Sequence, residues 1–449
     1  MRKHIFMPPA LALLLGGCGI YTSYPPTTEV PKGLFGEEAA SVADKSWREF
    51  FTDPQLQELI ERGLHHNTDL QSAQWRVKEA EATLLSARLA YLPAFALAPQ
   101  ASASSFAGAK ALQTYSIPLT ASWEVDLFGR IRNAKRRSKA LLEQSQDYRQ
   151  AVQTQVVAGI ANAYYSLLML DEQLEIAVQT AGSWQETVTA TRALMEAGLA
   201  NDAAVSQMEA ACQAIHTSVL DLKEQINTVE NSLSLLLGEV PHAIGRGRLG
   251  EQRFNHELAA GVPMELLARR PDVRSAQHAL EAAFYTTAAA RSAFYPAVVL
   301  GGSAGWTNSA GSLISNPAEF LASAVASLTQ PLFSRGTLVA GLKIARAQQE
   351  EARLAFGQTL LNAGSEVNEA LVQCQTARDK SDHYARQVAA LGQALQSTTL
   401  LMQHGTTTYL EVLTAQQALL SARLTEVANR CVEIQGFIRL YQALGGGAS

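Results

Sequence analysis

Residues 68–80 read TDLQSAQWRVKEA and residues 271–283 read PDVRSAQHALEAA, so Ser72-Ala73-Gln74 recurs as Ser275-Ala276-Gln277 at a displacement of 203. The match continues through Ala87-Arg88 against Ala290-Arg291 and Pro93-Ala94 against Pro296-Ala297, with 11 identities in the 26 positions 69–94. Leu127, Phe128 and Arg130 then meet Leu332, Phe333 and Arg335 at 205. Met195, Gly198, Val205, Leu237 and Gly238 meet Met402, Gly405, Val412, Leu444 and Gly445 at 207. A displacement drifting from 203 to 207 is what two tandem copies with small insertions give. The period far exceeds the roughly 20–50 residues of solenoid arrays, so a domain-sized unit is duplicated.

The prolines show what one copy contains, because proline breaks helix interiors and the middles of sheets. None occurs over 119–240 or over 332–449. These intervals are rich in Ala, Leu, Gln and Glu, with apolar residues at helical spacing such as Val156, Ile160, Tyr164, Leu167, Leu174 and Val178. Gly198 and Gly405 sit at matching places inside them, followed by Asn201-Asp202 and Thr406-Thr407-Thr408, a glycine stop and then N-cap candidates. Each interval is therefore predicted to be a helical hairpin. Its first arm, from about Arg130 to Ala197, would be about 100 Å long at about 1.5 Å per residue.

Between the helices lie segments of another period. In SIPLTASWEVDL, Ile117, Leu119, Ala121, Trp123, Val125 and Leu127 alternate with Pro118, Thr120, Ser122, Glu124 and Asp126. A strand of that length with one apolar face matches the roughly 9–11 residues of a tilted membrane-spanning strand. Weaker candidates bring the expectation to two strands per copy. Tyr115, Trp123, Trp306 and Phe320 are placed at the bilayer boundaries, and Phe128, Gly129, Phe333 and Gly336 at the strand-to-helix corners. Four strands cannot close a barrel, and a bilayer tolerates no open sheet edge. The chain is thus expected to oligomerise, and three copies give twelve strands and a wider lumen than two.

The chain has 449 residues, 47% of them hydrophobic, a net charge of -5 and a pI near 6.0. That balance supplies a core but no basic field, so nucleic acid is not an expected partner. The start, MRKHIFMPPALALLLGGCGI, has basic Arg2 and Lys3, an apolar run from Ala10 to Leu15, then small residues up to Cys18, the pattern of an export signal. Leu15-Gly16-Gly17-Cys18 resembles the bacterial lipobox, which implies a lipidated Cys18. Gly19 in place of an inner-membrane-retaining Asp favours the outer membrane. Cys212, Cys374 and Cys431 form neither a CxxC pair nor a disulfide framework and are read as buried small residues.

The run WREFFTDPQL (47–56), SWEVDLFGRIR (122–132), LLARRPDVRSAQ (266–277) and Tyr409-Leu410-Glu411-Val412-Leu413 together resemble the signatures of TolC-like outer-membrane factors, most similar to the NodT-type efflux lipoproteins. The resemblance covers nearly the whole mature chain. It implies a mainly α protein with a small β part, in which three protomers form a 12-stranded barrel continued by an α-helical periplasmic tunnel. It implies a duct of a tripartite efflux pump, with a periplasmic adaptor (membrane fusion protein) and an inner-membrane transporter of the resistance-nodulation-division class as partners. Gating falls to the tip, around Gly198, Asp202, Gly405, Tyr409 and Glu411. Several family members carry an aspartate and an arginine there, at positions matching Thr414 and Gln417. The ionic lock is therefore missing; Glu411 or Asp202 substitutes for it, or both are solvated helix-surface acids.

The expected division is a signal peptide over 1–17, a lipid-anchored extended segment over 18–43 and a first repeat over 44–240 with strands at about 94–106 and 115–127. A linker over 241–262 follows, then a second repeat over 263–449 with strands at about 297–307 and 319–332. Gly301-Gly302-Ser303-Ala304-Gly305 spells GxSxG, but within a small-residue strand and not at a strand-to-helix turn. Gly245-Arg246-Gly247-Arg248-Leu249-Gly250 spells GxGxxG after a long helix, where dinucleotide binding has no strand to use. His65-His66 lacks the spacing of a zinc motif. No enzyme, no metal and no cofactor beyond the lipid on Cys18 is expected. The competing functions are a type I protein-secretion duct and a structural trimeric envelope lipoprotein, the latter requiring uninterrupted heptads that two spaced strand pairs do not fit.

Overall fold

The computed structural model describes residues 23–25, 46–105, 108, 111–198, 200–252, 267–308, 319–404 and 407–446. The helices are α1 (Trp47–Phe50), α2 (Pro54–His66), α3 (Thr68–Leu89), α4 (Arg130–Glu196), α5 (Asp202–Leu236), α6 (Pro271–Ser292), α7 (Thr337–Gln403) and α8 (Tyr409–Ala443). The strands are β1 (Ala94–Leu97), β2 (Gln100–Ser104), β3 (Leu112–Val125), β4 (Ala297–Asn308) and β5 (Glu319–Thr329). Repeat partners have equal lengths: α3 and α6 have 22 residues each, α4 and α7 67, α5 and α8 35. At about 1.5 Å per residue, α4 and α7 are each about 100 Å long.

The chain divides into two compact units. The first includes Trp75–Gln146 and Ser275–Gln358 and contains the whole antiparallel sheet, in which β3 pairs with β1, β2 and β4, and β4 with β5. The strand expected over 94–106 is two strands, broken at Ala98-Pro99. Both N–H and C=O of a residue point to one side of a strand, and the Pro118 carbonyl accepts from Ala98 N (3.1 Å). The missing N–H of Pro118 therefore faces the same break, where Pro99 also has none to give, and the interruption leaves no donor stranded there. Gly305, opposite Pro118, lies so close that a Cβ would come within 2.2 Å of the Ile117 carbonyl oxygen. The strand expected over 115–127 starts earlier and stops at Val125, since Asp126 turns to accept from Ile131 N (3.2 Å) and Arg132 N (2.7 Å) and so caps α4. β5 ends at Thr329 and not at 332, where Pro331 follows.

The second unit includes Val30–Gln74, Asp147–Arg274 and Thr359–Ser449. Asp53 caps α2 through Gln55 N (2.8 Å) with Pro54 at its first position, and α2 buries Leu56, Leu59, Ile60 and Gly63. Phe50, Phe51 and Tyr441 form an aromatic cluster with rings 4.9–5.7 Å apart. The two repeats end their return helices alike: Glu239 N bonds Ser234 O (2.9 Å) after α5, and Gly446 N bonds Tyr441 O (3.0 Å) after α8, each the six-to-one bond of a Schellman stop. Asn67 Nδ2 then donates to Leu236 O (2.9 Å), and its repeat counterpart Arg270 donates through Nη1 to Ala443 O (2.9 Å). These are equivalent carbonyls, so the two copies close by one design. In the stretch between the repeats, Arg246 bonds Asp171 and Glu230 (2.5–2.9 Å) and ties it to α4 and α5.

Candidate functional site: a two-faced strand wall and a fastened helical tip

The register sorts the sheet into two faces. One carries Ile117, Leu119, Ala121, Trp123 and Val125 of β3, opposite Trp306, Ala304, Gly302, Leu300 and Val298 of β4. Ala322, Ala324, Ala326 and Leu328 of β5, with Phe95 and Leu97 of β1, continue it. The other face carries Ser116, Thr120 and Ser122 of β3, Ser303 and Thr307 of β4, and Ser323 and Ser327 of β5, with Pro118, Val299 and Val325 among them. Hydroxyls bond across it, Ser102 to Thr114 (2.7 Å) and Ser303 to Ser323 (2.8 Å). Ser303 of the GxSxG run is thus a mid-strand residue, not a nucleophile on a strand-to-helix turn.

Among the described residues nothing covers either face, and Ser122, Ser323 and Ser327 of the second are exposed. Phe95 is 67% exposed, Trp306 51% and Leu119 49%. Among the described residues the outer edges of β5 and of β1 and β2 have no strand partner. Trp123 lies near one end of β3 and Tyr115 near the other, about 26 Å apart along the strand at about 3.3 Å per residue, close to the roughly 25 Å apolar band of an outer-membrane barrel. Trp306 sits beside Ile117, two positions from Tyr115, and Phe320 pairs with Trp306 in backbone register. The Trp123 indole donates to Tyr91 O (2.9 Å). At the corners, Gly129 (φ 77°) and Gly336 (φ 80°) adopt the left-handed turn. Phe128 stacks on Tyr295 at 5.0 Å, whereas Phe333 is exposed.

The tip is built where α4 gives way to α5 and α7 to α8. Gly198 takes φ 75° and Asn201 Oδ1 accepts from Ala204 N (2.9 Å) to start α5. Gly405 lies outside the described residues, as do Cys18 and the segments 1–17 and most of 18–43. Ala177, Ala181, Trp184 and Val188 of α4 pack with Met208, Ala211, Cys212 and Ile215 of α5, and Leu413 of α8 enters the same core. Two neutral hydrogen bonds fasten α8 beside it: Tyr409 Oη donates to Gln207 Oε1 (3.0 Å), and Gln416 Nε2 to Thr187 Oγ1 (3.3 Å). Thr414 and Gln417, expected to match the family's ionic pair, are both exposed. Asp202 and Glu411 are exposed too and stand in the first turns of α5 and α8, where a carboxylate favours the helix dipole. Sequence reasoning did not find Gln207, Thr187 and Gln416, because their partners are some 200 residues away and nothing local marks the pairing.

The chain matches the family described as outer membrane efflux protein over residues 59–239 and 262–446. It is 29% identical to the cation efflux system protein CusC of Escherichia coli strain K12, over 98% of this chain and 99% of that one. It is 28% identical to the toluene efflux pump outer membrane protein TtgC of Pseudomonas putida, over 100% and 96%. The crystal structure of the open-state MtrE outer membrane channel of Neisseria gonorrhoeae superposes with a TM-score of 0.82 at 28% identity, covering 96% of this chain and 98% of that one. A wall with one apolar and one hydroxyl-lined face, joined to helical hairpins, defines an outer-membrane conduit. The chain belongs to the outer membrane efflux protein family; it is an outer-membrane efflux channel protein and not an enzyme.

Proposed function

We propose that three copies of the chain close one 12-stranded barrel, continued by a periplasmic helical tunnel. Lipid on Cys18 would hold each copy to the outer membrane. The observation that carries this reading is the sheet that, among the described residues, has two bare faces and two unpaired edges. In a bilayer each unsatisfied backbone group costs several kcal/mol, so only neighbouring copies can complete it. A second support is an apolar stripe on α7, where Leu354, Leu361 and Val372 are all more than half exposed at intervals of 7 and 11 residues, close to whole numbers of helical turns.

The duct is passive. A periplasmic adaptor and an inner-membrane transporter of the resistance-nodulation-division class would deliver the solute and the energy. The hydroxyl and small-residue lining selects weakly, so the cargo is set upstream and is a cation or a small organic compound, after the cation and toluene efflux in the names of the relatives CusC and TtgC. Docking of the adaptor would part the tip by releasing α8 from α4 and α5, since packed helices shift without unfolding. Two assays test this. A deletion strain should gain sensitivity to metals or solvents without losing a secreted protein. Purified protein in planar bilayers should show low conductance without partners; a constitutively wide pore would contradict a closed resting tip.

A further inference from the structure

Within the first unit, Glu143 of α4 meets His278 and Glu281 of α6. The three side chains are half-buried, at 32%, 24% and 24% exposure. Glu281 Oε2 stands 3.4 Å and Glu143 Oε2 3.8 Å from the same imidazole nitrogen, Nδ1 of His278. One ring nitrogen carries at most one proton, so it cannot donate fully to two carboxylates at once. Donor atoms around a tetrahedral cation, bonded at about 2.1 Å, stand about 3.4 Å apart. The Glu281 separation matches that spacing and the Glu143 separation exceeds it by 0.4 Å, so a small ion fits among the three side chains with little movement.

We propose that Glu143, His278 and Glu281 form a binding site for a divalent cation of the zinc class, which pins α4 of the first repeat to α6 of the second. The donor set fixes the class. One imidazole and two carboxylates suit Zn²⁺, Co²⁺, Ni²⁺ or Mn²⁺, whereas monovalent copper and silver favour sulfur donors. His278 and Glu281 stand three residues apart on one face of α6, and α4 brings the third ligand across. Lys139 Nζ holds the other oxygen of Glu143 (3.1 Å), which orients that carboxylate and leaves Oε2 for the ion. The copies differ here: the repeat counterparts of His278 and Glu281 are Trp75 and Lys78, so α6 carries the histidine–glutamate pair and α3 does not. It is structural and lies apart from the transported solute, so it stands whether that solute is a metal or not.

The full-length protein in detergent, stripped with a chelator, should be titrated with Zn²⁺ by calorimetry and with Co²⁺ by visible absorption. Saturable binding of one ion per chain is expected, with a Zn²⁺-dependent rise in melting temperature. His278→Ala and Glu281→Gln should each weaken binding by about tenfold or more and abolish that rise. Glu143→Gln, which keeps the side-chain shape, guards against a folding defect and should do the same. Binding that is absent in the native protein, or equal in the native protein and all three folded variants, would overturn the site.

Discussion

Arg270, the second arginine of the ARRPDVR run, is 5% exposed. Its guanidinium reaches Ala443 O (2.9 Å), Asp272 (2.8 Å) and Glu366 of α7 (2.6 Å), so this one side chain joins the start of α6 to the end of α8. Burial alone would raise the Asp272 carboxyl, but the hydrogen bonds and charge of Arg270 and the Val273 N–H outweigh it and hold the group below its ordinary value. A depressed carboxyl stabilises the fold above its unfolded value of about 3.9 and loses that contribution as pH falls through the folded one. Acid below about pH 4 should therefore loosen this junction, and Asp272→Asn should flatten the acid limb of a stability-versus-pH curve measured by denaturant melts. Gly238 is a sharper test of local geometry. Its φ is +71° and a Cβ would lie 2.5 Å from the His66 carbonyl oxygen, so Gly238→Ala should destabilise by about 1–3 kcal/mol. Burial pushes the Cys374 thiol up to about 12 and Cys431 to about 11. Since the thiolate is the nucleophile, neither should react with iodoacetamide until denaturant is added, as mass spectrometry of the labelled protein would show.

At the scale of elements, what could be read ahead follows from how strongly each pattern is written. The 67-residue helices α4 and α7 were legible because two proline-free intervals of helical period are each interrupted at a matched glycine. β3 was legible because alternation of apolar and polar residues runs unbroken from Ile117 to Leu127. The strand β5 was placed too, but its faces were not legible, since FLASAVASLT has small or apolar residues in both phases; only its register with β4 assigns Ala322, Ala324 and Ala326 to the apolar face. The bonds that fasten the tip and the Glu143–His278–Glu281 cluster were equally hidden, because they join residues far apart in the chain. The face assignment makes a paired prediction. Leu119→Arg, near the middle of β3 on the apolar face, should cost about 2–4 kcal/mol in a bilayer and lower the yield of inserted channel. Ser122→Arg, on the other face, should insert normally and change ion selectivity in planar bilayers. At the tip, Tyr409→Phe with Gln416→Ala removes both neutral fasteners and should raise single-channel conductance several-fold without altering insertion.

At the scale of the whole molecule, the protomer is a half-finished object. Among the described residues its strand wall has a face fit for lipid, a face richer in hydroxyls and two edges without strand partners, while α7 shows an exposed apolar stripe. Those features have one common cause, a duplicated unit that supplies four strand positions, with β1 and β2 sharing one beside β3, where a closed wall needs more. The direct measurement is native mass spectrometry of the complex extracted from the outer membrane in mild detergent. The account predicts three chains per particle, with no smaller species until the detergent is exchanged for a denaturing one. A particle of one or two folded, conducting chains would contradict it.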